Sequence, residues 1–177
     1  ESIYKPNTLN KSNYQTYSAI FTVEFAMQLV NHLRNDHKDH FRIGIICPYK
    51  AQATLIEKLL SRVHNDDDKV EILIGTIHGF QGDECDIIIS VFNPPFGISK
   101  SPAMFLNKQN VLNVAISRAR DYLFILMPDD HTQDVENLYR IKKIERLINN
   151  HAVGRLSVYN SEIVEEKLLG SNTYVYD

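Results

Sequence analysis

Four short apolar runs, RIGIIC (42 to 47), VEILIGT (70 to 76), DIIISVF (86 to 92) and DYLFILM (121 to 127), constrain this chain more than any other feature in it. Each is near-continuous rather than alternating, the pattern of a strand buried on both faces, and each is too short for a buried helix. Pro48 stops the first run, as it would a central strand that has reached its end. Between the runs the period changes to that of a helix. Ile20, Val23, Phe25, Met27, Leu29, Val30 and Leu33 predict a helix from Ser18, with Ser18 as its cap. Ala53, Ile56, Leu59, Leu60 and Val63 predict a second over 49–63, Asn107 to Arg120 a third, and His131 to His151 a long fourth. Strands alternating with helices predict an α/β fold: a parallel sheet with helices on both faces.

With 177 residues, 44% of them hydrophobic, the chain can bury one good core. Its formal net charge of -3 supplies no whole-molecule attraction for nucleic acid, so binding of that kind would rest on local groups. Cys47 and Cys85 lack C-x-x-C spacing, which fits a reduced, intracellular compartment. No apolar run approaches the ~18 residues of a membrane span, so no membrane partner is expected. Nor does the polar start ESIYKPNTLNKSNY resemble a signal peptide. A first residue that is Glu rather than Met predicts that the chain begins inside a longer polypeptide. The expected organisation is a linker or arm over 1–17, a domain over 18–151 and an extension over 152–177. That extension carries a short strand, RLSVYN, and a short helix, SEIVEEKLL, capped by Ser161.

Two stretches carry chemistry. GTIHGFQGDE (75 to 84) leaves the end of a strand, and ligands of open parallel sheets gather outside the carboxyl ends of strands. Gly75, Gly79 and Gly82 allow close backbone approach there. Thr76 and His78 offer short polar groups, Gln81 an amide that both donates and accepts, and Glu84 a carboxylate able to bond a ribose hydroxyl or orient an arginine. Three glycines so close together also suit a merely irregular turn, and the residues alone do not decide between the two. In VLNVAISRAR (111 to 120), Leu112, Ala115, Ile116 and Ala119 form a stripe that would pack on the sheet. Val111, Val114 and Arg118 form the next row. Arg118 thus leaves the helix beside the core, where its guanidinium can be held in one place, as stabilising a transition state requires. On helical geometry Arg120 points the opposite way. Most arginines so placed only make an ion pair or cap a helix, so the helix alone does not single Arg118 out.

CPYKAQ (47 to 52) joins a strand to a helix start, where free N–H groups and the helix dipole favour phosphate, and Tyr49 and Gln52 are placed to touch nucleic acid. Pro48 there also reads simply as a helix-starting proline. FILMPDD ends an apolar strand in acids like a magnesium site, but Pro128 intervenes and no G-x-x-x-x-G-K-[ST] loop accompanies it, so a solvated turn is the better reading. His32, His37, His40 and His64 lack zinc spacing. Asp83, Glu84 and Asp86 lack the lysine of a nuclease cluster. No metal site is expected.

Taken in order, SAIFTVEFAMQLV, IGIICPYKAQ, ILIGTIHGFQGDECDIII and LNVAISRARDYLFIL resemble the second, C-terminal RecA-like domain of superfamily 1 DNA/RNA helicases. The subgroup is the one containing the nonsense-mediated-decay helicase, and the resemblance covers residues 18 to 127. It implies a three-layer RecA-like sheet of P-loop NTPase type without its own phosphate loop. CPYKAQ corresponds to motif IV, GTIHGFQGDE to motif V and NVAISRAR to motif VI. By the resemblance Arg118 is the finger reaching the ATP γ-phosphate, Gly82 and Glu84 lie at the nucleotide, Thr76 and His78 face the nucleic-acid strand, and Gln81 couples the two. ATP and Mg2+ would be bound mainly by the missing N-terminal RecA-like domain of the same polypeptide. Single-stranded DNA or RNA would be the other partner, with movement 5′ to 3′. The isolated fragment would be inactive. Family members often carry a second arginine where Thr22 stands, and a hydroxyl residue where Cys47 stands. The alternative is a RecA-like module that binds nucleic acid or a protein without catalysis.

Overall fold

The computed structural model describes residues 3–38, 40–64, 69–80, 84–92, 104–127, 137–140, 142–143, 146, 150 and 157–170. Its frame is a four-stranded parallel sheet of β3 (Phe41–Cys47), β4 (Val70–Thr76), β5 (Cys85–Val91) and β6 (Ala119–Leu126), in the order β4-β3-β5-β6. β1 and β2 belong to a separate hairpin described below. Every residue of β5 is buried, which is why its sequence shows no alternation.

The two faces of the sheet separate by residue parity except at Cys85, where the register with β6 shifts before Ile87. Ile43, Ile45, Cys47, Ile87, Ile89 and Val91 face α1 (Thr16–Arg34) and α2 (Lys50–Val63), packing with Val23, Met27, Val30, Ile56 and Leu60. Ile46, Ile88 and Cys85 face the other way, against Ile77, Phe80 and Val111 of α3 (Gln109–Ile116). The sheet is therefore the middle of three layers, the α/β RecA-like arrangement. A third cluster, Phe92, Leu106 and Leu138 with Tyr49, Phe105, Ile116 and Ile125, closes one end.

Two strand glycines have a packing reason. A Cβ on Gly44 would meet the Phe80 ring at 2.9 Å and Ile88 Cδ1 at 2.5 Å, and one on Gly75 would meet the Phe80 ring at 2.9 Å. Both positions stay open to seat that ring, so Gly75 makes room for Phe80 rather than for a ligand.

Residues before α1 form a hairpin of β1 (Asn7–Leu9) and β2 (Ser12–Tyr14), turned by Asn10 and Lys11 at φ 50° and 63°. This arm is bonded to the start of α2: Ala51 N donates to Ser12 Oγ at 2.9 Å, and Gln15 N donates to Gln52 Oε1 at 2.8 Å. α1 begins at Thr16 after an extended Gln15, two residues before the expected cap. The first apolar strand and the third begin one residue earlier than the sequence suggests. The expected helix 107–120 is instead a 3-10 turn at Phe105–Asn107, then α3, and Ala119 and Arg120 already belong to β6. Val111 and Val114 are the α3 side chains packed on the sheet face, while those of Leu112 and Ala115 lie outside the described residues.

Most of the fourth expected helix lies outside the described residues; of the rest, Tyr139, Arg140, Lys142, Lys143, Arg146 and Asn150 are helical. Ser157 to Asn160 are not strand, and α4 (Ser161–Leu169) is capped by Asn160, whose side chain accepts from Glu162 N at 2.8 Å, rather than by Ser161. Burial of its ring and a bond from its hydroxyl to Glu165 of α4 raise the pKa of Tyr17 in α1, so the extension lies against the first helix. No helix among the described residues is long and apolar enough to cross a membrane.

Candidate functional site

All four sheet strands run the same way, and the candidate residues divide between the two ends of the sheet. Thr76 is paired with Cys47 at the carboxyl edge, and Ile46 is paired with Ser90. Thr76 is therefore level with the end of β5, whereas Glu84 precedes its first residue. Seven residue steps separate the two levels, about 23 Å at ~3.3 Å per residue. Thr76 closes β4 at the carboxyl edge and Glu84 precedes β5 at the amino edge, so one motif has residues at both ends of the sheet. Gln81 and Gly82, between the two, lie outside the described residues, as does the acidic pair after Pro128.

At the amino edge stand Glu84, Arg118 and Arg120. Arg118 is not in a helix but in the turn between α3 and β6, and its carbonyl accepts from Cys85 N at 3.0 Å, fixing the turn beside Glu84. The side chain is half-buried, and its Nε is shut off from solvent with no hydrogen-bond partner among the described residues. An arginine nitrogen left this way is costly unless a ligand completes it. Arg120, two residues into β6, comes back to the same edge: its Nε lies 3.2 Å from Glu84 Oε2. Arg120 is therefore not turned away from this edge, contrary to what helical geometry predicts, because the helix ends at Ile116. Arg42 adds a third guanidinium, donating from Nη1 to the Glu84 carbonyl at 3.1 Å and from Nε to Glu71 at 2.9 Å.

Asp86 sits just inside this edge and is structural, as its place at the strand start suggests. Burial works to raise its carboxyl pKa, but a 2.6 Å bond from Lys38 Nζ and a 2.8 Å bond from Arg42 N outweigh that and hold it below the usual carboxylate range.

At the carboxyl edge Thr76 Oγ1 accepts from Gly79 N at 3.3 Å, and the exposed His78 follows it. Tyr49 leaves the neighbouring strand at the same level, half-buried, with burial pushing its phenol up to about 12. Phe105, which no feature of the sequence marked, lies between them: its ring centroid is 5.9 Å from that of Tyr49 and 6.3 Å from that of His78.

Gln52 is a correction. It was expected to touch nucleic acid, but it is 0% exposed, accepts from Gln15 N and donates from Nε2 to Ser18 Oγ at 3.1 Å. It fastens the arm and the start of α1 to α2. Thr22 is likewise buried, its hydroxyl donating to Ser18 O at 2.6 Å, so that position presents no cation. Cys47 is fully buried and its thiol pKa is raised by that burial, which removes it as a phosphate contact. No three His, Cys, Asp or Glu side chains gather among the described residues as a metal ion would require.

A family model described as an AAA domain matches residues 3–129. Helicase sen1 of Schizosaccharomyces pombe is 35% identical over 118 residues, covering 65% of this chain and 7% of that protein. The DNA polymerase alpha-associated DNA helicase A of Saccharomyces cerevisiae is 33% identical over 113 residues, 62% of this chain and 15% of that protein. The human probable helicase senataxin is 34% identical over 113 residues, 63% of this chain and 4% of that protein. The chain thus spans only a small part of the length of these relatives. With its parallel three-layer fold and its ordered motifs, the chain belongs to the AAA domain family as a superfamily 1 helicase domain, consistent with the group that includes the nonsense-mediated-decay helicase.

Proposed function

We propose that this domain works as the C-terminal half of an ATP-dependent motor that moves along single-stranded DNA or RNA, with Arg118 as its finger on the γ-phosphate. The observation that carries this reading is the buried Nε of Arg118, without a partner among the described residues, in the turn whose carbonyl accepts from Cys85 N at the amino edge of the sheet. Bound Mg-ATP supplies the phosphoryl group that is passed to water, and a RecA-like domain in the same polypeptide provides most of its contacts. Arg118 then adds charge stabilisation as the two domains close, a fixed donor reaching a phosphoryl oxygen when negative charge builds on it. Glu84 accepts from a ribose hydroxyl, for which it must leave Arg120, and Gly82 lets the backbone approach the nucleotide. At the opposite edge Thr76, His78 and Tyr49 lie along the nucleic-acid strand. Gln81, in the connection between the edges, couples one site to the other, and closure advances the strand 5′ to 3′. The work is done in a reducing intracellular compartment.

The placement of the buried Arg118 Nε, without a partner among the described residues, at the same sheet edge as Glu84 supports this reading over that of a binding module with idle motifs. The test is steady-state ATP hydrolysis. This chain alone should turn over ATP no faster than buffer, whereas the polypeptide containing both RecA-like domains should turn it over in response to single-stranded nucleic acid. Robust Mg2+-dependent turnover by the rigorously purified chain alone would contradict the shared-site mechanism.

A further inference from the structure

Three rings from separate segments meet at the carboxyl edge of the sheet. Tyr49 follows β3 by two residues and His78 follows β4 by two, and these strands are adjacent and in register there, with Cys47 opposite Thr76 and Ile77 N donating to Cys47 O at 3.2 Å. Phe105 comes from the 3-10 turn before α3. Its ring is tilted 43° to Tyr49 and 49° to His78, within the range of separations and angles that aromatic pairs adopt. Phe105 is only partly buried although it borders two core clusters.

Two lysines lie near the ring residues along the chain. Lys50, the first residue of α2, and Lys108, which caps α3, are both exposed. Each stands at the positive end of a helix dipole beside the ring cluster. A tyrosine phenol is neutral at pH ~7 and burial pushes the Tyr49 pKa further up, to about 12, so no negative charge from this residue opposes a phosphate there. Cationic groups flanking partly open aromatic faces make the combination that binds unpaired strands, because every base has a face to stack and every nucleotide a phosphate to neutralise.

We infer that Phe105 is the centre of a base-stacking platform, formed with Tyr49 and His78 and flanked by Lys50 and Lys108, that grips a single strand of nucleic acid. The inference rests on the motor reading for its ligand class, and it adds a residue and a mode of contact that reading does not contain. Polar groups such as Thr76 position a backbone; a ring platform holds the bases themselves and tolerates any sequence.

The experiment uses the full chain and labelled oligo(dT) and oligo(U) of equal length, with binding read by fluorescence anisotropy and stacking by quenching of a 2-aminopurine placed within each strand. Phe105→Leu keeps an apolar side chain for the two cores but removes the ring. It should weaken binding by about 5- to 100-fold, the range for losing a stacked base, and abolish much of the quenching. Phe105→Tyr should retain both. His78→Ala, at an exposed ring, should give a smaller loss in the same direction without lowering the melting temperature, which keeps the test valid if Phe105→Leu folds poorly. Lys50→Ala with Lys108→Ala should weaken binding and flatten its salt dependence while leaving the quenching at saturation unchanged. Comparing oligo(dT) with oligo(U) separates DNA from RNA without bearing on the platform. Wild-type affinity and quenching in both ring variants, with binding still lost in the lysine variant, would overturn the platform and leave the motor reading intact. No strand binding by the wild-type chain would remove the nucleic-acid edge itself, and the platform with it. Self-association that depends on Phe105 would assign the rings to a protein interface instead.

Discussion

Replacing Gln52 by Ala separates a structural role from a nucleic-acid role at one position. The side chain is fully buried, accepts from Gln15 N at 2.8 Å and donates to Ser18 Oγ at 3.1 Å. Truncation leaves the Gln15 N–H without its acceptor, a cost of about 1 to 3 kcal/mol, and the lost Ser18 bond and the void add about 1 kcal/mol more. A total of about 2 to 4 kcal/mol corresponds to a fall in Tm of roughly 5 to 15 °C for a domain of this size. Differential scanning calorimetry measures it, and anisotropy with a single strand measures binding by the same sample below its transition. Lys50→Ala, two residues earlier on the exposed side of α2, is the comparison: within about 0.5 kcal/mol of wild type in stability but weaker in binding. A Gln52→Ala variant with unchanged Tm and weakened strand binding would show that Gln52 touches nucleic acid, and would remove the assignment of this residue as the fastener of the N-terminal arm.

Two further outcomes follow from the same contacts. Because the Asp86 pKa is depressed in the folded chain, its contribution to stability is fully present above the ordinary carboxylate pKa near ~4 and is lost as pH falls through the lower folded value. Asp86→Asn should therefore destabilise at pH 7 by about 1 to 3 kcal/mol in urea unfolding, with the difference from wild type shrinking below about pH 4. A difference that grows on acidification would contradict the Lys38 and Arg42 contacts. Removal of everything after His151 deletes α4, whose Leu168 is buried, and should lower Tm by several degrees at a cost of about 2 to 4 kcal/mol while leaving a cooperative transition. Loss of cooperative folding would show that α4 belongs to the core.

The sheet was legible because its strands are buried on both faces and so announce themselves as continuous apolar runs; β4 matches the expected bounds residue for residue. Helix ends were less so. SRAR continues a helical pattern in composition, but Arg118 and Arg120 lie in a turn and a strand, because Cys85 N pairs with the Arg118 carbonyl and draws the chain into the sheet. That long-range bond has no local signature. Nor does the fate of Gln52: a glutamine in the first turn of a helix looks exposed until an arm 37 residues away lies on it. Within the sequence motif, glycines read as ligand space, yet Gly75, like Gly44 in the adjacent strand, is explained by Phe80, whose ring position depends on the two strands being adjacent. The hairpin of the arm is marked only by Asn10 and Lys11 at positive φ, and Asn-Lys is a weak turn signal. Phe105 belonged to no periodic segment, so its meeting with Tyr49 and His78 appears only when three segments are assembled.

The role of Arg118 is decided by ATP turnover in the polypeptide that carries both RecA-like domains, at saturating single-stranded nucleic acid, with nucleotide affinity measured alongside. Arg118→Ala should leave ATP affinity nearly unchanged and lower kcat by about 10³ to 10⁵, the range for an arginine finger, and Arg118→Lys should recover little of it because a point charge lacks the planar fork of donors. Arg120→Ala, which removes an exposed pair with Glu84, should cost no more than about tenfold. Equal losses at Arg118 and Arg120, or full turnover by Arg118→Ala, would contradict the finger.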